Sequence, residues 1–415
     1  TYAPWPSYGS VEYNDADKDN PQSHPNNSSI KIYLENTSYT VGAINVPHSR
    51  YVLYDPAANK KYLTILDKGT STKKYFEIST TVVGIEEKIS ALTPLGSLPA
   101  GLDSSRDYHA ERQNFANWFT YHRRREFTAK NALSIIIKSL TEVRVGIYGI
   151  NQRIVQPLSN VNVLQGATVS DATDTLLQKL YAYNSQGGTP LKSGLKTVGS
   201  YYKDNTGVLA GVSGPPPYGA LENGGSCQQS FTVILTDGFY DDLSTTLAGN
   251  TDGDNGPPYA DNHSDTLADF AAYYYETDLN TLPDEVPKSR YDKAQHQHMA
   301  TYAVAFGVGG TLIPSDYDAE YRHITTGQLI AWTKPTASYR PEAVDDLWHA
   351  AVNGRGKFSS AQNPVELTNA LSELMDAIGE ILIASSSSVT VNGDYLYAKA
   401  GTDTLLYPAL YSNQN

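Results

Sequence analysis

The spacing of apolar and polar positions changes near Asp107. Before it the pattern alternates: in Ser29-Ile30-Lys31-Ile32-Tyr33-Leu34-Glu35 the residues Ile30, Ile32 and Leu34 fall on one face, and 50–54, 62–66 and 75–83 repeat that period of two. This predicts a small β-rich region over residues 1–108. Asp55-Pro56-Ala57-Ala58-Asn59 lies between two of these runs and reads as a hairpin turn, because proline fixes φ and asparagine tolerates left-handed geometry.

After Asp107 the steps are threes and fours. Phe115, Trp118, Phe119, His122, Ala129, Leu133, Ile136, Ile137 and Leu140 predict a long amphipathic helix that ends before Glu142. Residues 143–150 then read as a strand, 170–183 and 190–202 as helices, and Phe231-Thr232-Val233-Ile234-Leu235-Thr236 as a strand buried on both faces of a parallel sheet. Gly- and Pro-rich loops occupy 211–225 and 249–262; further helices are expected at 266–277, 344–351 and 363–384, with a buried strand at 299–308. Strands alternating with helices predict an α/β doubly wound sheet over 109–384. Four serines, 385–388, punctuate the last helix, and 389–415 alternate again but are too few for a core of their own, so they read as the start of a further, truncated β domain.

Composition narrows the function classes. Forty-four acidic against 31 basic residues give a formal charge of −13, which repels phosphate backbones and anionic lipid surfaces, so nucleic acid is not an expected partner. No apolar run approaches the length of a membrane span. Cys227 is the single cysteine, which excludes an internal disulfide and Cys₂ or Cys₄ zinc sites. The chain opens on Thr1 without a signal-like segment, and the expected N-terminus lies upstream.

Two segments carry candidate chemistry. Val233-Ile234-Leu235-Thr236-Asp237-Gly238 is a buried strand ending in Asp-Gly, and the carboxyl ends of strands form the ligand crevice of open α/β sheets, which puts Asp237 there. In Gly187-Gly188-Thr189-Pro190-Leu191 a glycine pair permits a tight turn, Thr189 projects, and Pro190 opens a helix. Each alone also fits a plain turn or an N-cap. Together they resemble the second and third loops of a von Willebrand factor A domain. That resemblance implies a metal-ion-dependent adhesion site in which Thr189 and Asp237 join an Asp-x-Ser-x-Ser loop around Mg²⁺ or Ca²⁺, a hard cation that takes hydroxyl, carboxylate and water oxygens.

The resemblance narrows further. Thr1-Tyr2-Ala3-Pro4-Trp5-Pro6, Asn114-Phe115-Ala116-Asn117-Trp118-Phe119-Thr120-Tyr121, Cys227 before the Thr-Asp-Gly strand, Gly256-Pro257-Pro258-Tyr259-Ala260-Asp261 with Thr266-Leu267-Ala268-Asp269, and Leu347-Trp348-His349-Ala350-Ala351-Val352-Asn353-Gly354-Arg355-Gly356 are similar to the N-terminal half of PilY-type proteins, adhesins associated with the tip of type IV pili. The likeness implies an extracellular place at the pilus tip, minor pilins and a surface or host receptor as partners, and a β-propeller following the A-type domain. It also exposes a departure: Asp-x-Ser-x-Ser is absent, and the family's central first strand would precede Thr1. The expectation is therefore that an upstream segment or a second chain supplies that strand, and that 1–108 is an insertion in the A-type sheet.

Weaker candidates remain. Asp15, Asp17 and Asp19 have the start of a calcium-loop spacing, but Asn20 and Asn26 replace its glycine and glutamate, and a solvated acidic turn fits better. Asp252-Gly253-Asp254 with Asp261 and Asp265 forms a second acidic loop that offers ligands for a cation, and an exposed turn again fits better. His296 and His298 lack a third ligand. The alternative to adhesion is a secreted metal-dependent α/β hydrolase using Asp237, Asp241 and Asp242 as its carboxylates; no nucleophile elbow or positioned histidine accompanies them.

Overall fold

The computed structural model describes residues 39–386 except 42–43, 47–48, 56, 68, 79–91, 112–113, 115–124, 141–142, 152–153, 164–169, 184–186, 220–224, 237–238, 248 and 290–291. Its residues divide between two units, Thr1–Asn131 with Asn184–Gln186, and Ala132–Tyr183 with Gly187–Asn415.

In the first unit, a short hairpin of β1 (Tyr39–Val41) and β2 (Ile44–Val46) precedes a four-stranded antiparallel meander. Its strands are β3 (Ser49–Asp55), β4 (Lys60–Asp67), β5 (Thr72–Ile78) and β6 (Thr93–Leu95), paired in chain order. The expected turn after β3 is present: Asp55 faces Lys60, the Asp55 carboxylate accepts from the Ala57 and Ala58 amides, and Asn59 takes φ 50°. Tyr62, Tyr75 and Leu98 pack on one side, Leu63, Ile65 and Leu92 on the other. The expected strand at 30–34 lies outside the described residues.

The second unit is built on three parallel strands, β11 (Ser230–Thr236), β12 (Met299–Phe306) and β13 (Arg355–Ala361), in that spatial order. All eight residues of β12 are buried. Met299, Ala303 and Ala305 join the cluster formed with α3 (Leu191–Asp204), α4 (Leu267–Glu276) and α5 (Glu342–Asn353), while the intervening Ala300, Tyr302, Val304 and Phe306 are buried on the opposite face. A strand covered on both faces is what the continuous apolar run requires. Small residues let the helices approach closely: a Cβ on Gly199 of α3 would stand 2.3 Å from the ring of Tyr274 on α4. The closing helix α6 (Pro364–Ser386) packs on β13 and β12 and buries Leu367, Leu371 and Leu374.

α1 (Arg125–Ser139) and α2 (Thr173–Ala182) occupy predicted helical stretches; residues 115–124 of the first lie outside the described residues. The strand expected at 143–150 is β7 (Val143–Tyr148), and here the structure differs from a wholly parallel reading. β7 pairs antiparallel with β8 (Val155–Val161), a strand the pattern did not predict. The physical reason is the connection: Gly149 N–H donates to Ile154 O at 2.8 Å, and so short a link returns the chain antiparallel, because a parallel return needs a crossover. Polar residues and Pro157 conceal β8 in the sequence. A two-residue pair, β9 (Val208–Leu209) with β10 (Val212–Ser213), follows α3. Among the described residues, no helix is long and apolar enough to cross a membrane.

One carboxylate ties the α4–α5 pair to the loop after β11. Asp346 on α5 accepts from the first N–H groups of α4, Leu267 at 2.9 Å and Ala268 at 3.0 Å, and from the hydroxyl of buried Tyr240 at 2.5 Å. Burial pushes its carboxyl above the ordinary range, although these three donors pull the other way. Replacing it leaves three buried donors without an acceptor. Asp346→Ala should therefore destabilise the unit by about 3 kcal/mol or more, and Asp346→Asn by clearly less, read from urea unfolding curves with unchanged m-values.

Candidate functional site

Two clusters of polar side chains stand out in the second unit. The first is the crevice at the carboxyl end of β11, where Thr189 lies. Asp237 follows β11 directly but is outside the described residues, as are Asp15, Asp17 and Asp19. The loop continuing from β11 folds back on the Gly187-Gly188-Thr189 turn: Thr189 N–H donates to Asp241 Oδ2 and Asp241 N–H to Thr189 O, both at 3.1 Å. Gly187 has φ 90°, and a Cβ on Gly188 would stand 2.2 Å from Asp241 Oδ2, so both glycines are needed for this contact. Exposed Tyr339 donates its hydroxyl to the same Oδ2 at 2.9 Å, and the carboxylate holds that phenol above its usual range.

Asp242 serves α3. Pro190, at the N-cap of α3, has no side-chain acceptor, and the Asp242 carboxylate replaces one by accepting from Lys192 N at 3.3 Å and Ser193 N at 2.7 Å. The Lys192 ammonium, buried, donates to the carbonyls of Leu243 (2.7 Å), Thr245 (2.9 Å) and Asp265 (3.0 Å), and its burial lowers its pKa. The crevice is thus framed by α3, the 239–245 loop and Tyr339. Asp241 Oδ2 and both oxygens of Asp242 are engaged by backbone donors, while Asp237, the remaining carboxylate of the hydrolase alternative, lies outside the described residues.

The second cluster is only half legible in the sequence: the acidic 252–261 loop reads as an exposed turn, whereas Asp252 is buried and meets His349, which the sequence does not connect to it. The 249–266 loop lies over α5 and brings Asp252 and Asp261 to His349, which α5 carries about ninety positions further on. One ligand atom from each of the three lies within 4.8 Å of the others. Asp252 and His349 are buried, with relative exposures of 0% and 1%. His349 Nδ1 is 3.5 Å from Asp261 Oδ2, and His349 Nε2 is 3.6 Å from Asp252 Oδ2 and 2.5 Å from Tyr259 O. Asn353, one turn along α5, donates to Asp252 Oδ2 at 2.6 Å, and the Asp261 amide donates to Asp252 Oδ1 at 3.3 Å. Trp332 stacks on the imidazole, ring centroids 4.3 Å apart and 10° from parallel.

Burial first, and then the neighbouring charges of Asp269 and Asp261, push the Asp252 carboxyl up to about 6, against the opposing pull of His349. Burial works against the charge of Asp261 too, but His349 and the His263 N–H outweigh it and hold its carboxyl below the ordinary range. Asp269 is engaged separately in the capping box of α4 with Thr266. The signal that could have found the cluster was divided between the acidic 252–261 loop and a lone histidine in an apolar helix.

The other singled-out histidines are structural. His298 Nε2 meets Asp292 at 2.8 Å, His296 Nε2 meets Tyr275 O at 2.8 Å, and the Tyr275 hydroxyl completes the group on Asp292 at 2.8 Å. Burial, and then the charge of Asp292, pushes the Tyr275 phenol up to about 12. Cys227 is exposed and unbonded to sulfur.

Comparison with known proteins supplies what the geometry alone does not. The type IV pilus biogenesis factor PilY1 of Pseudomonas aeruginosa strain PAK is 30% identical over 331 residues, which cover 68% of this chain and 27% of that protein. The chain is similar to a type IV pilus biogenesis factor. PilY1 of strain UCBPP-PA14 is 28% identical over 348 residues, 72% of this chain and 28% of its own length. The chain thus spans little more than a quarter of the PilY1 relatives it matches. No family model matches it, and no solved structure does.

If Asp242 caps α3 from outside the helix, Asp242→Ala should lower stability by about 1 to 2 kcal/mol, with Asp242→Asn intermediate, in urea unfolding monitored by circular dichroism. An unchanged midpoint for Asp242→Ala would return that carboxylate to the list of free chemical groups.

Proposed function

We propose that the chain is part of a type IV pilus biogenesis factor that works at the cell surface, at the pilus tip, as an adhesin. The similarity to PilY1 across 68% of the chain carries this reading. The α/β unit is then a von Willebrand factor A-like doubly wound sheet over 109–384, with 1–108 inserted and 385–415 as the linker and start of a β-propeller-like domain. Thr189 and Asp237 hold Mg²⁺ or Ca²⁺ at the carboxyl end of the sheet, the cation completed by ligands from an upstream strand or a second chain, with one coordination position open to a partner's carboxylate. Supporting this placement, the Gly187-Gly188-Thr189 turn is fixed against the loop that follows β11 by the paired Thr189–Asp241 bonds. Minor pilins and a surface or host receptor are the partners. The acidic balance of the whole chain fits a protein that does not bind nucleic acid.

The test separates assembly from adhesion. Deleting the whole gene should remove surface pili, and restoring it should return them. Restoration with Asp237→Ala or Thr189→Ala should return pili but lower Mg²⁺-dependent attachment about tenfold or more, as loss of a ligand predicts. Normal piliation in the deletion strain would overturn the biogenesis reading. Normal attachment by both variants would overturn the cation site alone.

A further inference from the structure

We propose that Asp252, Asp261 and His349 form a buried site for one transition-metal dication, Zn²⁺ being the best match, which fastens the 249–266 loop to α5. This site is separate from the Thr189 crevice and does not depend on the pilus reading.

The arrangement around His349 is that of a metal-binding imidazole. Nε2 donates to the Tyr259 carbonyl at 2.5 Å, so Nδ1 is the nitrogen left to face Asp261 Oδ2, at 3.5 Å. An attraction across that separation needs a positive charge, supplied by a proton on Nδ1 or by a metal ion that displaces it. The separation is also beyond ordinary N–H···O length, whereas two ligands on one tetrahedral ion at about 2.0–2.1 Å stand about 3.4 Å apart. Trp332 fixes the ring plane by stacking, and the Asp252 carboxylate is itself oriented by Asn353 and the Asp261 amide. Metal ligands are held in this way by a further layer of hydrogen bonds.

Burial and charge set what the cluster can hold. The Asn353 side chain is 1% exposed, and its Oδ1 has no hydrogen-bond partner among the described residues, although its Nδ2 lies 2.6 Å from Asp252 Oδ2. Asp252, Asp261 and His349 bring one ligand atom each within 4.8 Å of one another, and Asp252, Asp269 and His349 are buried. Buried carboxylates are paired or bind metal. One imidazole and two carboxylates, without thiolate, suit Zn²⁺ and secondarily Mn²⁺ better than the all-oxygen shells of Mg²⁺ and Ca²⁺.

The experiment uses the whole 415-residue chain, stripped with chelator, dialysed into excess Mg²⁺ and titrated with Zn²⁺ by calorimetry. The expected result is one Zn²⁺ per chain, with the melting temperature raised about 5 °C at a hundredfold excess over Kd. His349→Ala and Asp261→Asn should both lose that equivalent, and Asp237→Ala should keep it. Because His349→Ala removes a buried ring and can fail to fold, Asp261→Asn, which keeps the side chain's shape, is the deciding variant. Absence of a stoichiometric Zn²⁺ or Mn²⁺ equivalent in the wild-type chain would overturn the proposal, as would nitrogen NMR showing both ring nitrogens of His349 protonated at neutral pH in the presence of Zn²⁺. Retention of the equivalent by Asp261→Asn would overturn the ligand assignment.

Discussion

A carboxylate buried at the meeting point of two helices and a loop organises the second unit. Asp346 accepts the first two N–H groups of α4 and the Tyr240 hydroxyl, so the start of α4, the middle of α5 and the chain after β11 are fixed to a single group. Burying an ionised carboxylate is unfavourable unless donors surround it, and here three converge. Its neighbour Asp345 does the same for the chain after β12, accepting from Leu312 N at 2.9 Å and Thr333 Oγ1 at 2.9 Å. Two adjacent acids on one helix therefore set the positions of the loops that leave β11 and β12.

The two candidate cation sites inherit different properties from this frame. The Thr189 turn lies at a strand end, with Asp241 and Asp242 used to hold α3 and its preceding turn. The Asp252–Asp261–His349 cluster is closed by Tyr259, Trp332 and Asn353. A cation there contributes to holding the fold, because an ion that binds only the folded chain stabilises it.

Much of the second unit was legible because periodicity reports burial. The apolar runs at β11 and β12 and the three- and four-residue steps of α3, α4 and α5 appear where the pattern put them. β8 was hidden, since Gln156, Pro157, Ser159 and Asn160 do not alternate cleanly. Thr189 stood out through its flanking glycines and proline, yet its observed partner, Asp241, had been read only as a catalytic alternative. His349 and Asn353 were unreadable as functional groups: on a buried helix they look like core polar residues, and only the tertiary fold brings the 252–261 loop against them. Local chemistry is visible in sequence, while a site divided between distant segments becomes visible only when their packing is known.

Native-state hydrogen exchange at the amides of Leu267 and Ala268 tests most directly whether Asp346 holds this frame together. These N–H groups sit at a helix N-terminus, where no intrahelical acceptor protects them, so their protection reports the bond to Asp346 alone. The account predicts that both exchange only through global unfolding, with opening free energies equal to that from urea denaturation. Rapid exchange at the rate of a fraying helix end would contradict it.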